Sequence, residues 1–273
     1  MLPLAVLVVV STVAATLGAL GGLGGATILV PVLVLAGVDP IEAAPLGLLT
    51  VAAGSLSAAD TQLDEGVVHH RLGVTLETAA SAGAILGAIW SESLSASTLS
   101  RVLAVSAIVA AVAGGRRKGM RNLPRGEFVA EPAGEWPGTL GGVYASPRGP
   151  VPYQARRLPL GLGAMSGAGL ISGLAGVGGG FIKTPAMSEI MHVPVKVAAA
   201  TTTFTLGITA SAGLIVYAAQ GRIEAAPSAA VIVGGLAGGL MGARIQQVMA
   251  PQRVRRVLSV LLILIGVVLL VRG

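Results

Sequence analysis

Two glycine clusters hold the residues best suited to chemistry in this chain. The stretch "GLAGVGGGFIKTP", residues 173–185, sets Gly178, Gly179 and Gly180 ahead of Lys183 and Thr184 and ends at Pro185. Near the N-terminus, Gly24 and Gly25 precede Ala26 and Thr27, with Pro31 following. A helix that starts after such glycines turns its free N–H groups and positive dipole end toward the break, where no Cβ blocks an approaching anion. The chemistry expected is anion binding by backbone donors, with the two prolines as structural turns. Lys183, one turn past its break, adds a positive charge; its other expected role is a lysine snorkelling to an interface. Thr27, Thr50, Thr184, the run Thr201, Thr202 and Thr203, and Thr205 offer hydroxyls suited to a tetrahedral oxyanion. Threonines also satisfy helical carbonyls locally.

Glu77 stands in the apolar run 72–90. An intramembrane carboxylate is suited to proton coupling, which makes the proton the candidate coupling ion. The competing expectation sets Glu77 near the membrane surface, paired with Arg71. His69, His70 and His192 read as interfacial. An intramembrane enzyme would draw on Lys183, Glu189 and His192, and a sensor or assembly protein on the basic loop described below; both stand as alternatives to transport. "GVGGGFIKT" departs from a phosphate-binding P-loop at Ile182, where glycine is required, and there is no H-E-x-x-H. The absence of cysteine excludes disulfides, thiolate metal sites and a catalytic thiol. No metal or cofactor is expected.

The elements that must position these groups lie in lipid. The chain is 53% hydrophobic and 11% charged, with a mean hydropathy of +0.84, which separates it from soluble domains. Runs such as 1–20, 41–59, 72–90, 201–219 and 257–271 are near the length that crosses a hydrocarbon core of about 30 Å. The fold class expected is therefore an all-α polytopic membrane protein. Most of the formal charge of +6 sits in residues 114–157, which carry Arg116, Arg117, Lys118, Arg121, Arg125, Arg148, Arg156 and Arg157 against Glu127, Glu131 and Glu135. This reads as a cytoplasmic loop obeying the positive-inside bias rather than a nucleic-acid surface. Inside it, "TLGGVYA" is the one turn-and-strand signal, so the loop is either disordered or a short β-hairpin.

The chain repeats itself. Gly24, Gly25 and Pro31 match Gly178, Gly179 and Pro185; Pro40 matches Pro194, Gly66 matches Gly221, and Gly87 matches Gly242. The domains expected are a first membrane repeat at 1–113, the basic loop at 114–157 and a second repeat at 158–273. Each half reads as five segments, the second being a short broken or re-entrant helix. Loop charge favours opposite orientations: the loop at 91–100 has Glu92 and no basic residue, its counterpart at 249–256 carries Arg253, Arg255 and Arg256, and Asp60, Asp64 and Glu65, in a loop then assigned to the inside, neither help nor hurt. That predicts an inverted repeat with both termini outside, and the two breaks facing one another near the midplane. Gly83 with Gly87, and Gly234, Gly238 and Gly242, read instead as helix-packing positions.

The duplicated G-x-G-G-[G/A]-x-I-x-x-P element, with its matched later prolines and the ending "RVRRVLSVLLILIGVVLL", resembles the TauE/SafE family of sulfite exporters and organosulfonate permeases. The resemblance covers nearly the whole chain outside the basic loop, which is longer than the family leads one to expect. It implies a secondary transporter of a small sulfur-containing anion, such as sulfite, sulfoacetate or another sulfonate, across the plasma membrane, with export the expected direction. The partners expected are that anion, the bilayer, the coupling proton read from Glu77 and a second copy in a homodimer.

Overall fold

The computed structural model describes residues 2–64, 66–115, 134–146, 149–248 and 251–272. Among them are ten α-helices and one three-stranded sheet. The first half supplies α1 (Leu4–Gly21), α2 (Ala26–Leu35), α3 (Pro40–Asp64), α4 (His70–Ser91) and α5 (Ala96–Gly115). The second supplies α6 (Leu158–Ala175), α7 (Gly180–Pro185), α8 (Val195–Ala219), α9 (Ala225–Val248) and α10 (Pro251–Arg272). A π-helical turn, Ala186–Ile190, prolongs α7. The order is the expected one, five segments per half with a short second.

Five of the described helices are long and apolar enough to cross a membrane: Pro40–Ala59, His70–Ser91, Leu158–Ala175, Val195–Ala219 and Ala225–Ile245. The apolar stretches Leu4–Leu20, Ala26–Leu35, Ala96–Val112 and Ser259–Val271 are shorter. Large apolar side chains such as Val9, Ile215 and Leu264 point outward, as they do where lipid is the solvent. The molecule is a helical, polytopic membrane protein.

Both breaks begin with the same cap. Gly22, at φ 61°, ends α1, and the N–H groups of Gly22 and Leu23 return to the carbonyls of Ala19 and Gly18. Gly176, at φ 71°, ends α6 with its N–H on Ser172. Three expectations need correction. Pro31 does not turn the chain; it lies inside α2, which runs on to Leu35. The presumed loop at 249–256 is largely helix, since α10 starts at Pro251 and takes Arg253, Arg255 and Arg256 into its first turns. Asp60 and Asp64 are likewise helical, because α3 extends to Asp64.

The helices pair across the halves. α1 lies along α9, and its counterpart α6 along α4; α3 packs on α9 and α8 on α4, while α3 meets α8 and α5 meets α10. Glycines set the separations. A Cβ on Gly83 would strike the Ser166 carbonyl, and one on Gly87 the Leu170 carbonyl. On the other side, Cβ atoms on Gly234, Gly238 and Gly242 would strike the carbonyls of Val8, Thr12 and Thr16. These are packing glycines, as read from the sequence. In both pairs the contacts advance together along the chain, so α4 runs parallel to α6 and α9 parallel to α1.

In the connecting segment, β1 (Gly134–Glu135), β2 (Gly141–Ser146) and β3 (Gly149–Gln154) form an antiparallel sheet in the order β1-β2-β3. The expected "TLGGVYA" signal falls on β2, but the sheet has a third strand beyond a hairpin. Tyr153 is buried with Leu72, Leu76, Met165, Met187 and Met191, so the sheet is docked on the ends of α4, α6 and the π turn. Arg116, Arg117, Lys118, Arg121, Arg125 and Arg148 lie outside the described residues.

Candidate functional site

The two breaks touch. Thr27, fully buried, sets its hydroxyl 3.0 Å from the Leu23 carbonyl and 3.1 Å from the Val177 carbonyl of the other break. Thr184, equally buried, donates across in the opposite sense to the Gly22 carbonyl at 3.3 Å. A Cβ on Gly180 would come within 2.8 Å of the Leu23 oxygen.

Beside the first break lies a cleft bordered by Gly24 and Gly25 together with Thr50, Ser55, Thr203 and Leu206. Its free space is about 30 Å³, roughly one water molecule's share of the liquid. α2 begins at Ala26, and the N–H groups of Thr27 and Ile28 return to the Gly24 and Gly25 carbonyls at 3.2 and 3.1 Å. The hydroxyls around the cleft are already committed: Thr50 donates to the Leu46 carbonyl at 2.9 Å, Thr203 to Ala199 at 3.0 Å, and Ser55 to Thr203. In the first turn of α2, the N–H that enters no backbone hydrogen bond among the described residues is that of Ala26. An anion would meet a helix N-terminus, with the hydroxyls reorienting toward it.

Beside the second break lies a charged cluster. Lys183 is 1% exposed and its Nζ lies 2.7 Å from Glu77 Oε2. Thr209 bridges the pair, accepting from Lys183 and donating to Glu77 Oε1, and the Ser81 hydroxyl adds a bond to that oxygen at 3.2 Å. Lys183 does not snorkel to an interface. Nor does Glu77 pair with Arg71, whose exposed guanidinium reaches the Trp136 carbonyl at 3.3 Å. Sequence reasoning passed over Thr209 and Ser55, although Thr209 follows Thr205 by one turn and the repeat aligns it with Ser55.

The remaining candidates are dispersed. Gly178 and Gly179 sit at φ 80° and 69° and pack on Val51 and Ala168. The Thr201 hydroxyl accepts the His69 backbone N–H at 2.9 Å. Thr202 is fully buried and its hydroxyl meets no partner. Pro185 closes α7 and leads into the π turn. The constellation proposed for an enzyme is not assembled around Lys183, since Glu77 engages the lysine and Glu189 is exposed on the π turn.

His69 lies buried under the sheet, while His70 stays exposed at its edge. His69 is fully buried and caps α4, its Nδ1 accepting the Leu72 N–H at 3.2 Å. The His70 Nδ1 lies 2.9 Å from Glu135, whose carboxylate also receives the His70 backbone N–H. Burial pushes the His69 imidazole below its usual value, against the pull of the Glu135 carboxylate 3.6 Å away. Burial raises the Glu135 carboxyl, but the His70 N–H and the His69 ring outweigh it and hold it below the usual carboxylate range.

The model of the family described as sulfite exporter TauE/SafE matches residues 7–269. The chain belongs to this family. A relative from Bacillus subtilis (strain 168), described as probable membrane transporter protein YunE, is 26% identical over 283 residues, covering 98% of this chain and 97% of its own. No solved structure matches. Within this TauE/SafE family member, the matched span includes both glycine breaks, the cleft and the Glu77–Lys183 pair.

Proposed function

We propose that this protein is a secondary transporter, not an enzyme, that moves a small sulfur-containing anion such as sulfite or a sulfonate (sulfoacetate among them) across the plasma membrane, with export as its physiological direction. The observation that carries the reading is the cleft at Gly24 and Gly25, where a helix N-terminus opens onto a space that no side-chain charge fills. The family's description favours sulfite, and the transporter description of the relative favours transport. At about 30 Å³ the space is too small for a sulfonate, so α8 must part from α1 and α3 for the anion to enter.

The reading includes an inverted repeat. It is supported by the helix directions: the sheet lies at the starts of α4 and α6, α4 and α8 end on the far face, and α9 then begins there parallel to α1. α1 and α6 thus start on opposite faces. With the basic loop in the cytoplasm, both termini lie outside.

Calorimetry and thermal shift on detergent-purified protein test the reading, with sulfite, methanesulfonate, sulfoacetate, taurine, thiosulfate, lactate and sulfate as ligands. The expected result is stabilisation by sulfite or a sulfonate, weakened at least tenfold in Gly24→Ala. No response to any anion would overturn it. Right-side-out against inside-out vesicles then read the direction.

A further inference from the structure

The repeat supplies an internal control for the Glu77–Lys183 pair. The matched breaks put Leu29 opposite Lys183, and the same alignment puts Ser55 opposite Thr209. The matched glycines Gly66 with Gly221 and Gly87 with Gly242 bracket Glu77 and put Ile232 opposite it. Beside the first break, the repeat therefore sets Leu29 and Ile232 at the positions that hold Lys183 and Glu77 beside the second, each half supplying one residue to each pair. A buried ion pair is often no better for stability than apolar residues of similar volume, and an ionisable pair at membrane depth is costly to keep. Packing does not call for it.

Charge balance shows what it is suited to do. As an ion pair, Lys183 and Glu77 sum to zero. A monoanion bound to Lys183 would leave the site at −1 in a low-dielectric interior unless the carboxylate were neutralised. We propose that one proton enters with each anion: Glu77 takes the proton, Lys183 is released from the carboxylate to bind the anion, and the loaded site again sums to zero. The carrier is then an electroneutral anion–proton symporter, a conclusion that rests on the anion-transport reading above. Net flux follows the combined gradients, so export proceeds when the anion gradient exceeds the opposing proton gradient.

The surroundings fit this exchange. An ammonium has three donors, and the structure engages two of them, on Glu77 and Thr209. The helix that bears Lys183 starts at Gly180, where an added Cβ would lie 3.1 Å from Leu206, a wall of the cleft. Thr209 is one turn further along the same wall. Among the described residues no other titratable group is bonded to the pair: α6 has none, Lys183 is the one on α7, Glu189 on the π turn and Arg101 on α5 are exposed, and Lys196 and Tyr217 stand at opposite ends of α8. On α4 itself, Arg71 is exposed, two turns away.

Proteoliposomes loaded with a pH-sensitive dye and given an inward gradient of methanesulfonate, a monoanion with no group titrating near neutrality, test the coupling. Parent protein is expected to acidify the lumen by one proton per anion and to give no current on a solid-supported membrane. Glu77→Gln is expected to pass methanesulfonate with a current and without acidification, and Glu77→Asp to restore the parent behaviour. The double variant Glu77→Ile/Lys183→Leu, which copies the matched residues Ile232 and Leu29, is expected to fold and to move neither species. Parent transport that carries current without protons, proton movement retained by Glu77→Gln, or a double variant that cannot fold would each overturn the coupling while leaving anion transport standing. A parent that binds none of the anions overturns both.

Discussion

At the first break, Gly24 and Gly25 border an uncharged cleft with Ser55 in its wall; at the second, the equivalent of Ser55 is Thr209, and it bridges a lysine and a glutamate. The same glycine pattern builds both, so the difference comes from three side chains and not from the backbone. The comparison teaches that matched glycines set the frame of each break and that a few side chains set its charge. One break borders an uncharged cleft, and the other a buried carboxylate–ammonium pair.

The sharpest way to break this comparison is to strand one charge. Lys183→Leu leaves Glu77 buried without its cation and is expected to cost about 3–5 kcal/mol, while adding Glu77→Ile recovers most of it or leaves the protein more stable than the parent. Thermal unfolding in detergent reads this; a double variant less stable than the single would mean that the halves are not interchangeable here. Next in size is the helix contact that sets Glu77 in register. A Cβ on Gly169 would strike the Ala80 carbonyl, whereas one on Gly167 meets nothing within 4 Å. Gly169→Ala is expected to destabilise by about 1–3 kcal/mol. Gly167→Ala should be stabilising by roughly 0.5–1 kcal/mol, as expected for a helical glycine. Equal effects would remove close α4–α6 packing from the account.

Gly24→Ala probes the other side. Its Cβ finds ordinary contact, 3.4 Å from Leu206, but φ is 83°, so the expected cost is about 1–2 kcal/mol from backbone strain. Anion affinity should fall further than stability does. Intact affinity would move the anion away from the first break.

The smallest effect concerns the faces of the two halves. The loop before α4 is covered by the sheet through His69, His70 and Glu135, while the matching loop before α9 tucks Arg222 against Tyr217 and Ser91, with no strand over it among the described residues. His69 titrates lower in the docked sheet than its free value of 6.5. Its neutral form is the one that fits, so docking is undiminished above about pH 6.5 and weakens as pH falls below it. Glu135, also lowered, keeps its contribution above about its free value of 4.5 and loses it at more acid pH. Hydrogen exchange of residues 134–154 should rise in that order on acidification, with α1 and α9 unchanged. Exchange independent of pH between 7 and 5, after correction for the intrinsic rate, would discard the His69 contribution.

Much of this architecture could be read from residues alone. The matched glycines marked both helix breaks, because a break in a lipid-facing helix must be built from residues that tolerate one. The meeting of the two breaks also followed from that logic. The partner of Glu77 did not, because its nearest cation in sequence is Arg71, while Lys183 is 106 positions away and is brought in by the packing of α4 on α6 and α8. Pro31 misled for a local reason, since a proline inside a helix needs only one absent hydrogen bond to be tolerated where neighbouring helices pack around it. The start of α10 was hidden by its arginines, which read as loop charge although they occupy helical turns. The third strand lacked a signal because β1 has only two residues.

The separation of Glu77 and Lys183 along the chain also orders events during synthesis. α4 must enter the membrane before α6, α7 or α8 exists. At about 5–20 residues per second, the lysine follows its glutamate by roughly 5–20 s. During that interval the nascent first half holds a carboxyl group without its cation, beside glycines whose partner helix has not been made. Release of α4 into lipid before the second half arrives would expose both at once, so the emerging protein is at its most vulnerable midway through translation, while the basic loop is leaving the ribosome.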